Sequence, residues 1–151
     1  MTGPVAIDVA VNDLDYASIR PLVQEHVNYE RSDVVIPDDW EQLTANQVSA
    51  GNVVIFVARI DGLAVGYASM TSDVATWTGE RFGHLDCLYV DDARRGAGLG
   101  RLLVSAVASD ARARGYRELQ WQTPEWNSAA IRFYERLGAV RRPKDRFTLT
   151  L

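Results

Sequence analysis

Apolar residues recur along this chain with two periods, and the switches between them mark out the elements. Residues 5–11, VAIDVAV, are rich in β-branched side chains and alternate weakly, which predicts a first strand. A helical spacing follows at Leu14, Ala17, Ile19, Leu22 and Val23, with Asn12 or Asp13 placed to cap it and Pro21 expected to kink or interrupt it. RSDVVIPDDW, residues 31–40, reads as a loop, and PDDWEQLTANQVSA then opens a second helix, with Pro37 and two acids favouring its N-terminal end. Residues 52–72 read as two strands around an Asp61-Gly62 turn, a strong hairpin signal. Residues 81–92 hold a further strand, apolar enough to be central. Beyond it, residues 99–115 place Leu99, Leu102, Leu103, Ala106 and Val107 on one helical face and stop at Gly115. A strand is expected over 116–123, and a helix over 127–138 with Asn127 as its cap and Gly138 as its stop. Residues 139–151 then return as one or two short strands. The order βααβββαβαβ puts antiparallel hairpins early and a βαβ crossover late, which is a mixed α+β fold. No repeat, low-complexity tract or linker divides the chain, so one domain spans 1–151.

Composition narrows the classes. The chain has 151 residues, 47% of them apolar and 24% charged, which suits a domain with its own core. No run approaches the ~18 apolar residues that cross a bilayer, and the first residues lack the basic and apolar regions of a signal peptide. A cytoplasmic protein without a membrane partner is the expectation. Cys87 stands alone, so neither an internal disulfide nor a cysteine metal site can form, and His26 and His84 make no zinc-type spacing. No metal is expected. Only one of the sixteen basic residues is lysine, a bias that fits a GC-rich bacterial genome.

The net charge of −4 is unevenly placed. Residues 1–80 carry 3 basic and 12 acidic side chains, and residues 81–151 carry 13 and 8. The second half therefore suits an anionic ligand and the first a cationic one, unless the asymmetry is only solvated surface. Nucleic acid is not expected, because the whole is acidic and no basic stripe has interleaved aromatics.

The anionic ligand has an obvious place. In ARRGAGLGRLL, residues 93–103, Gly96, Gly98 and Gly100 fall within five positions and run into a helix, with Arg94, Arg95 and Arg101 around them. Glycines open backbone conformations closed to other residues, and a helix start offers unpaired N–H groups and about half a positive charge. Together these make a phosphate cradle, although a glycine cluster taken alone is also consistent with an unliganded flexible loop. The nucleotide P-loop pattern fails for want of Lys-Ser/Thr, and G-x-G-x-x-G fails on spacing.

LYVDDARRGAGLGRLLV resembles the acetyl-CoA signature of the GCN5-related N-acetyltransferase (GNAT) superfamily, whose Arg/Gln-x-x-Gly-x-Gly/Ala is matched by Arg95, Gly98 and Gly100. The second signature, Asn-x-x-Ala-x-x-x-Tyr-x-x-x-Gly, is matched by Asn127, Ala130, Tyr134 and Gly138. The likeness implies the GNAT fold: a mostly antiparallel sheet of six to seven strands, splayed in the middle, with about four helices on both faces. It implies acetyl-CoA as the donor, its pyrophosphate held by backbone amides of Arg95, Gly96, Ala97, Gly98, Leu99 and Gly100, with Arg101 nearby. The backbone of Leu88, Tyr89 and Val90 would pair with the pantetheine arm, and the Leu88 amide would face the thioester carbonyl. Tyr134 matches the family's general acid, the alternative being an aromatic packed against Phe133. Asn127 would cap its helix and also reach the pantetheine.

The base and the acceptor are less determined. Asp86 lies two residues before Leu88 and so shares its strand face under strict alternation, and polyamine-type members carry a carboxylate there. His84 would share that face and is the second candidate for base, or a surface histidine. Cys87 should point to the other face and pack in the core. The first two helices form one wall of the acceptor site in this family, and here that wall is acidic: Glu30, Asp33, Asp38 and Asp39 face only Arg31. Trp40, Trp77 and Trp126 could line the pocket and receive a cation, or be core. Tyr29-Glu30 and Trp126-Asn127 resemble diamine acetyltransferase-like members, whereas Cys87 replaces that group's second acid. The expected activity is acetyl-CoA-dependent N-acetylation of a small cationic amine by direct attack in a ternary complex. A polyamine, an aminoglycoside or an amino acid would serve as acceptor. The alternatives are a protein or peptide acceptor, or a non-catalytic acyl-CoA-binding module. A homodimer is a common arrangement in the family.

Overall fold

Five strands in chain order, β1-β2-β3-β4-β5, make one sheet in the computed structural model, which describes residues 3–151. They are β1 (Val5–Val9), β2 (Val53–Ile60), β3 (Leu63–Ala75), β4 (Glu80–Val90) and β5 (Leu119–Gln120). The first four pair antiparallel and β5 joins β4 in parallel. Four helices complete the chain: α1 (Asp13–Tyr29), α2 (Trp40–Ser49), α3 (Leu99–Ala113) and α4 (Ser128–Arg136).

Local chemistry explains most boundaries. The Asn12 side chain accepts from the Asp15 amide while Asp15 accepts from the Val11 amide, so each closes the other's open end at the start of α1. α1 runs unbroken through Pro21, contrary to the expected interruption. Tyr16 and Ile19 before the proline and Leu22 after it are all buried, and their packing on the sheet outweighs the one lost hydrogen bond. Asp61 and Gly62 both adopt positive φ, as a two-residue hairpin turn requires. Gly115 and Gly138 end α3 and α4 in the left-handed conformation, as expected.

The sheet carries one core on each face. Phe56, Ala58, Met70 and Leu85 meet Leu99, Leu103, Val107 and Ala111 of α3. Ile55, Val57, Tyr67 and Tyr89 meet Tyr16, Ile19 and Leu22 of α1 on the other side. The buried face of α3 is one residue per turn, and Leu102 is exposed beside it.

The strand count falls short of the expected six to seven. β5 forms over two residues where eight were expected, and residues 139–151 form no regular strand. Phe147, Leu149 and Leu151 alternate as a strand would, yet all three stand in solvent. Alternation marks what a strand could bury; a strand also needs a neighbour for its ladder, and Pro143 with four clustered basic residues disfavours one here. β3 and β4 instead extend further than their apolar cores, pairing out to Ala75↔Glu80. Among the described residues no helix is long and apolar enough to cross a membrane.

The α3 face should dominate stability. Leu103 is fully buried, so Leu103→Ala is expected to lower the unfolding free energy by about 3 kcal/mol, measured as a fall in urea midpoint.

Candidate functional site

The pairing of β4 with β5 ends almost as soon as it begins. Gly83↔Leu119 and His84↔Gln120 are the only ladder partners, so among the described residues the β5-facing margin of β4 from 85 to 90 has no strand beside it. The ladder stops there, and the glycine loop follows the C-terminal end of β4. This is the splay that the sequence resemblance implied.

β4 is also irregular on its other margin. Ser69 pairs with Cys87 and Met70 with Leu85, which leaves Asp86 as an extra, unpaired residue. Leu85 and Leu88 pack into the α3-side core, three positions apart, while Cys87 and Tyr89 pack into the α1-side core. Strict alternation therefore does not run through Asp86, and the expected common face for His84, Asp86 and Leu88 is lost. His84 lies on the β4–β5 ladder near Thr71, 3.4 Å from its hydroxyl. Asp86 is exposed at the bulge, with its Oδ2 3.7 Å from the Cys87 sulfur.

The loop after β4 makes one 3-10 turn at Asp92–Arg94 and then enters α3. Gly96 and Gly98 both have positive φ, and an added Cβ at either would meet nothing within 4 Å. These glycines are thus required by backbone conformation, and the space above them is open to a ligand. Gly98 is the N-cap of α3 and supplies no side-chain cap, so the first-turn amides of Leu99, Gly100 and Arg101 remain free. Gly100 is there for a different reason: a Cβ would approach Phe133 of α4 to 3.1 Å. Arg95 does not project over the loop. Its Nε donates to the Val90 carbonyl, Nη1 contacts Asp92, and the guanidinium lies over Tyr29 and Tyr89. The loop's mobile positive charge is left to Arg94 and Arg101, both exposed.

α4 presents Tyr134 toward the gap. Its ring meets Trp121, just beyond β5, edge-on at 5.2 Å, and Phe133 at 5.4 Å. Burial pushes the Tyr134 hydroxyl up to about 12, with Glu30 and Cys87 adding to the shift. Asn127 caps α4 by accepting from the Ala130 amide and also accepts from the Tyr29 hydroxyl at 3.4 Å. That bond ties the end of α1 to the start of α4 across the cleft.

The end of α1 forms an aromatic and acidic wall. Tyr29 lies 6.0 Å from Trp126 and 6.4 Å from Tyr89, centroid to centroid. The cation over Trp126 is the protein's own Arg31, at 4.1 Å, held in a left-handed conformation at φ 57°. Glu30 hydrogen-bonds His26 at 3.3 Å, and that bond holds its carboxyl below the usual range. Trp40 packs into the core beneath α1 and α2, and Trp77 is wholly exposed at the tip of the β3–β4 hairpin.

Three groups lie deeper and were not picked out in the sequence as part of the site. His26 Nδ1 is 2.7 Å from the Tyr67 hydroxyl, and its ring stacks on Tyr89 at 5.2 Å. Tyr67 is buried and pushed upward by that burial, so it keeps its proton. Cys87 packs into the same α1-side core as Tyr67 and hydrogen-bonds the Asp86 carboxylate at 3.7 Å. The i,i+4 spacing of His26 and Glu30 was readable; that Tyr67 would rise beneath them was not, because it depends on how α1 crosses the sheet.

The family model described as Acetyltransferase (GNAT) family matches residues 19–139. The chain belongs to this family. A mycothiol acetyltransferase of Streptosporangium roseum is 45% identical over 62 residues, which cover 41% of this chain and 18% of that protein. A thialysine N-epsilon-acetyltransferase of Mus musculus is 34% identical over 77 residues, 51% of this chain and 45% of that one. The chain thus spans less than half the length of either. An aminoglycoside N-acetyltransferase, AAC(6')-Iy, solved in complex with CoA, shares the fold at a TM-score of 0.82 and 20% identity, over 99% of this chain and 96% of its own.

Burial raises the Cys87 thiol to about 12, with the Asp86 carboxylate adding to the rise. Thiolate is the reactive form, so alkylation by iodoacetamide at pH 8 is expected to be at least 10-fold slower than that of a free cysteine, whose ordinary value is about 8.5. Mass spectrometry of timed samples checks this.

Proposed function

We propose that this chain transfers the acetyl group of acetyl-CoA to a primary amine of a small cationic acceptor. The observation that carries the reading is the gap between β4 and β5, open at one end onto the glycine loop and flanked by Tyr134, Asp86 and Glu30. A donor with a pyrophosphate and an extended amide-bearing arm fits that shape. The free amides of α3's first turn and the left-handed Gly96 and Gly98 suit the pyrophosphate. The unpaired margin of 85–90 suits an arm that adds to the sheet as a strand would.

Bound acetyl-CoA supplies a thioester carbonyl and a thiol leaving group. The Leu88 main-chain amide serves as donor to negative charge developing at the carbonyl oxygen. Tyr134 keeps its proton at any working pH, because its hydroxyl is raised to about 12. The rise also widens its distance from an ordinary thiol at about 8.5, so Tyr134 acts chiefly by donating a hydrogen bond toward the departing sulfur. Asp86, exposed at the bulge, draws the ammonium in and takes its proton. Tyr29 and Glu30 complete an acidic, aromatic wall suited to an aliphatic cation. The names of the relatives, a mycothiol acetyltransferase and a thialysine N-epsilon-acetyltransferase, and of the aminoglycoside N-acetyltransferase are in keeping with a small acceptor.

Incubating the protein with acetyl-CoA and a panel of amines tests the reading through release of free thiol. Amine-dependent release is expected; its absence across diamines, basic amino acids and aminoglycosides would refute it. Tyr134→Phe is expected to lower kcat about 10-fold or more while acetyl-CoA binding is kept. Gly98→Asp places a carboxylate at the cradle, and calorimetry is expected to show CoA bound at least 10-fold more weakly than by Gly98→Asn, which tolerates the same left-handed backbone without charge.

A further inference from the structure

The four helices stop in the same way, with one exception in the residue used. After α1 the Arg31 amide bonds the Asn28 carbonyl and the Ser32 amide bonds that of Val27. Gly51, Gly115 and Gly138, each with the residue after it, make the same two bonds after α2, α3 and α4. The first residue of each pair has positive φ, and α1 puts an arginine there, at φ 57°. Glycine takes this conformation without steric cost and arginine does not. The turn gives arginine no advantage, so the reason for it lies in what its side chain reaches.

That side chain lies over Trp126, with the guanidinium 4.1 Å from the ring centroid. Trp126 is 6.0 Å from Tyr29, whose hydroxyl bonds the Asn127 cap of α4. Arg31 thus stands where the end of α1 meets the start of α4, on the acceptor wall. Residues 1–80 hold only three basic side chains against twelve acidic ones. Arg20 is bonded to Glu41 at 2.6 Å and Arg59 to Asp15 at 2.9 Å. Arg31 is exposed, and among the described residues no carboxylate lies within ion-pair distance of it. Glu30 beside it turns to His26 instead. Arg95, the other cation on this wall, is engaged by Asp92 and the Val90 carbonyl. We propose that Arg31 binds a carboxylate of the acceptor, which is therefore a basic amino acid and not a polyamine or an aminoglycoside. This rests on the acetyl-transfer reading above and narrows its substrate class.

Arginine can stack on an aromatic ring and still offer its planar fork to a carboxylate, where two parallel bonds form. The contact with Trp126 fixes the guanidinium before a ligand arrives, and the bonded turn at Asn28 and Val27 fixes its root. Little of the arginine's freedom remains to be lost on binding. The same arrangement disfavours the rival acceptors. A further ammonium of a polyamine or an aminoglycoside would compete with Arg31 for the Trp126 ring and meet a like charge beside it. A basic amino acid matches both ends of the site: its side-chain ammonium suits Asp86, exposed on β4, and its carboxylate suits Arg31. A second source of anionic oxygen is the donor's phosphates. Those have the free first-turn amides of α3 and the exposed Arg94 and Arg101.

The test uses acceptors matched but for the carboxylate: L-ornithine against putrescine and L-lysine against cadaverine, each followed by thiol release from acetyl-CoA. In the parent, kcat/KM is expected to be about 10-fold or more higher for the amino acid than for its diamine, the worth of one charge-assisted pair. In Arg31→Gln that ratio falls about 10-fold, through a higher KM for the amino acid, while KM for acetyl-CoA stays within about twofold. Arg31→Gly restores the residue that ends the other three helices. Its Tm is expected to be no lower than the parent's, while its ratio falls as in Arg31→Gln. An arginine that only supports the fold would cost both members of a pair alike and leave the ratio unmoved. A parent that uses the diamine as well as the amino acid overturns the proposal. So does a ratio unmoved in both variants, or a loss that appears in KM for acetyl-CoA instead, which would assign Arg31 to the donor's phosphates. Thiol release with putrescine or an aminoglycoside but with neither amino acid also overturns it, and leaves acetyl transfer standing. Absence of release with every amine would refute acetyl transfer itself, and the carboxylate site with it.

Discussion

β4 has to leave β5 while staying bonded to β3. A parallel strand reached by the α3 crossover can pair with β4 at Gly83 and His84, but the ladder stops there, and the backbone amides and carbonyls beyond are exposed on one side. Such groups demand a partner. The bulge at Asp86 sits within the same stretch and lets the strand change pleat without breaking its bonds to β3. One short length of chain therefore offers an open ladder on one margin and an irregular, acidic projection on its surface.

The rest of the site is arranged around this defect. α3 starts at the open end of β4 because Gly98 can turn the chain in a left-handed conformation that also leaves the first-turn amides free. α3 is anchored by Leu99, Leu103, Val107 and Ala111, so the loop before it is held from one end by the larger core. Arg95 holds it from the other by bonding the Val90 carbonyl and lying against Tyr29 and Tyr89. Phe133 packs on Gly100 and so brings α4, with Tyr134, to the same opening. Asn127 and Tyr29 then join α4 to α1 across the gap.

Burial sets the chemistry of these groups more than charge does. Tyr67, Cys87 and Tyr134 are all raised, each first by loss of water, so all three remain neutral donors. Charge is kept at the margins, on Asp86 and Glu30, and His26 lies between water and the core.

Much of this was legible in the residue pattern. The Asn12 cap, the Asp61-Gly62 turn, the helix stops at Gly115 and Gly138 and the glycine cluster are local devices, each decided by the conformations a few neighbouring residues allow. Their reading needed no knowledge of what lay across the sheet. The passage of α1 through Pro21, the bulge at Asp86, the shortness of β5 and the lack of strands after residue 138 depended on partners far away in sequence. So did the meeting of His26 with Tyr67, 41 residues apart. Local sequence determined where elements begin and what each could offer; only tertiary packing decided which offers were taken up, because a ladder or a buried hydroxyl bond exists only when two distant segments come into contact.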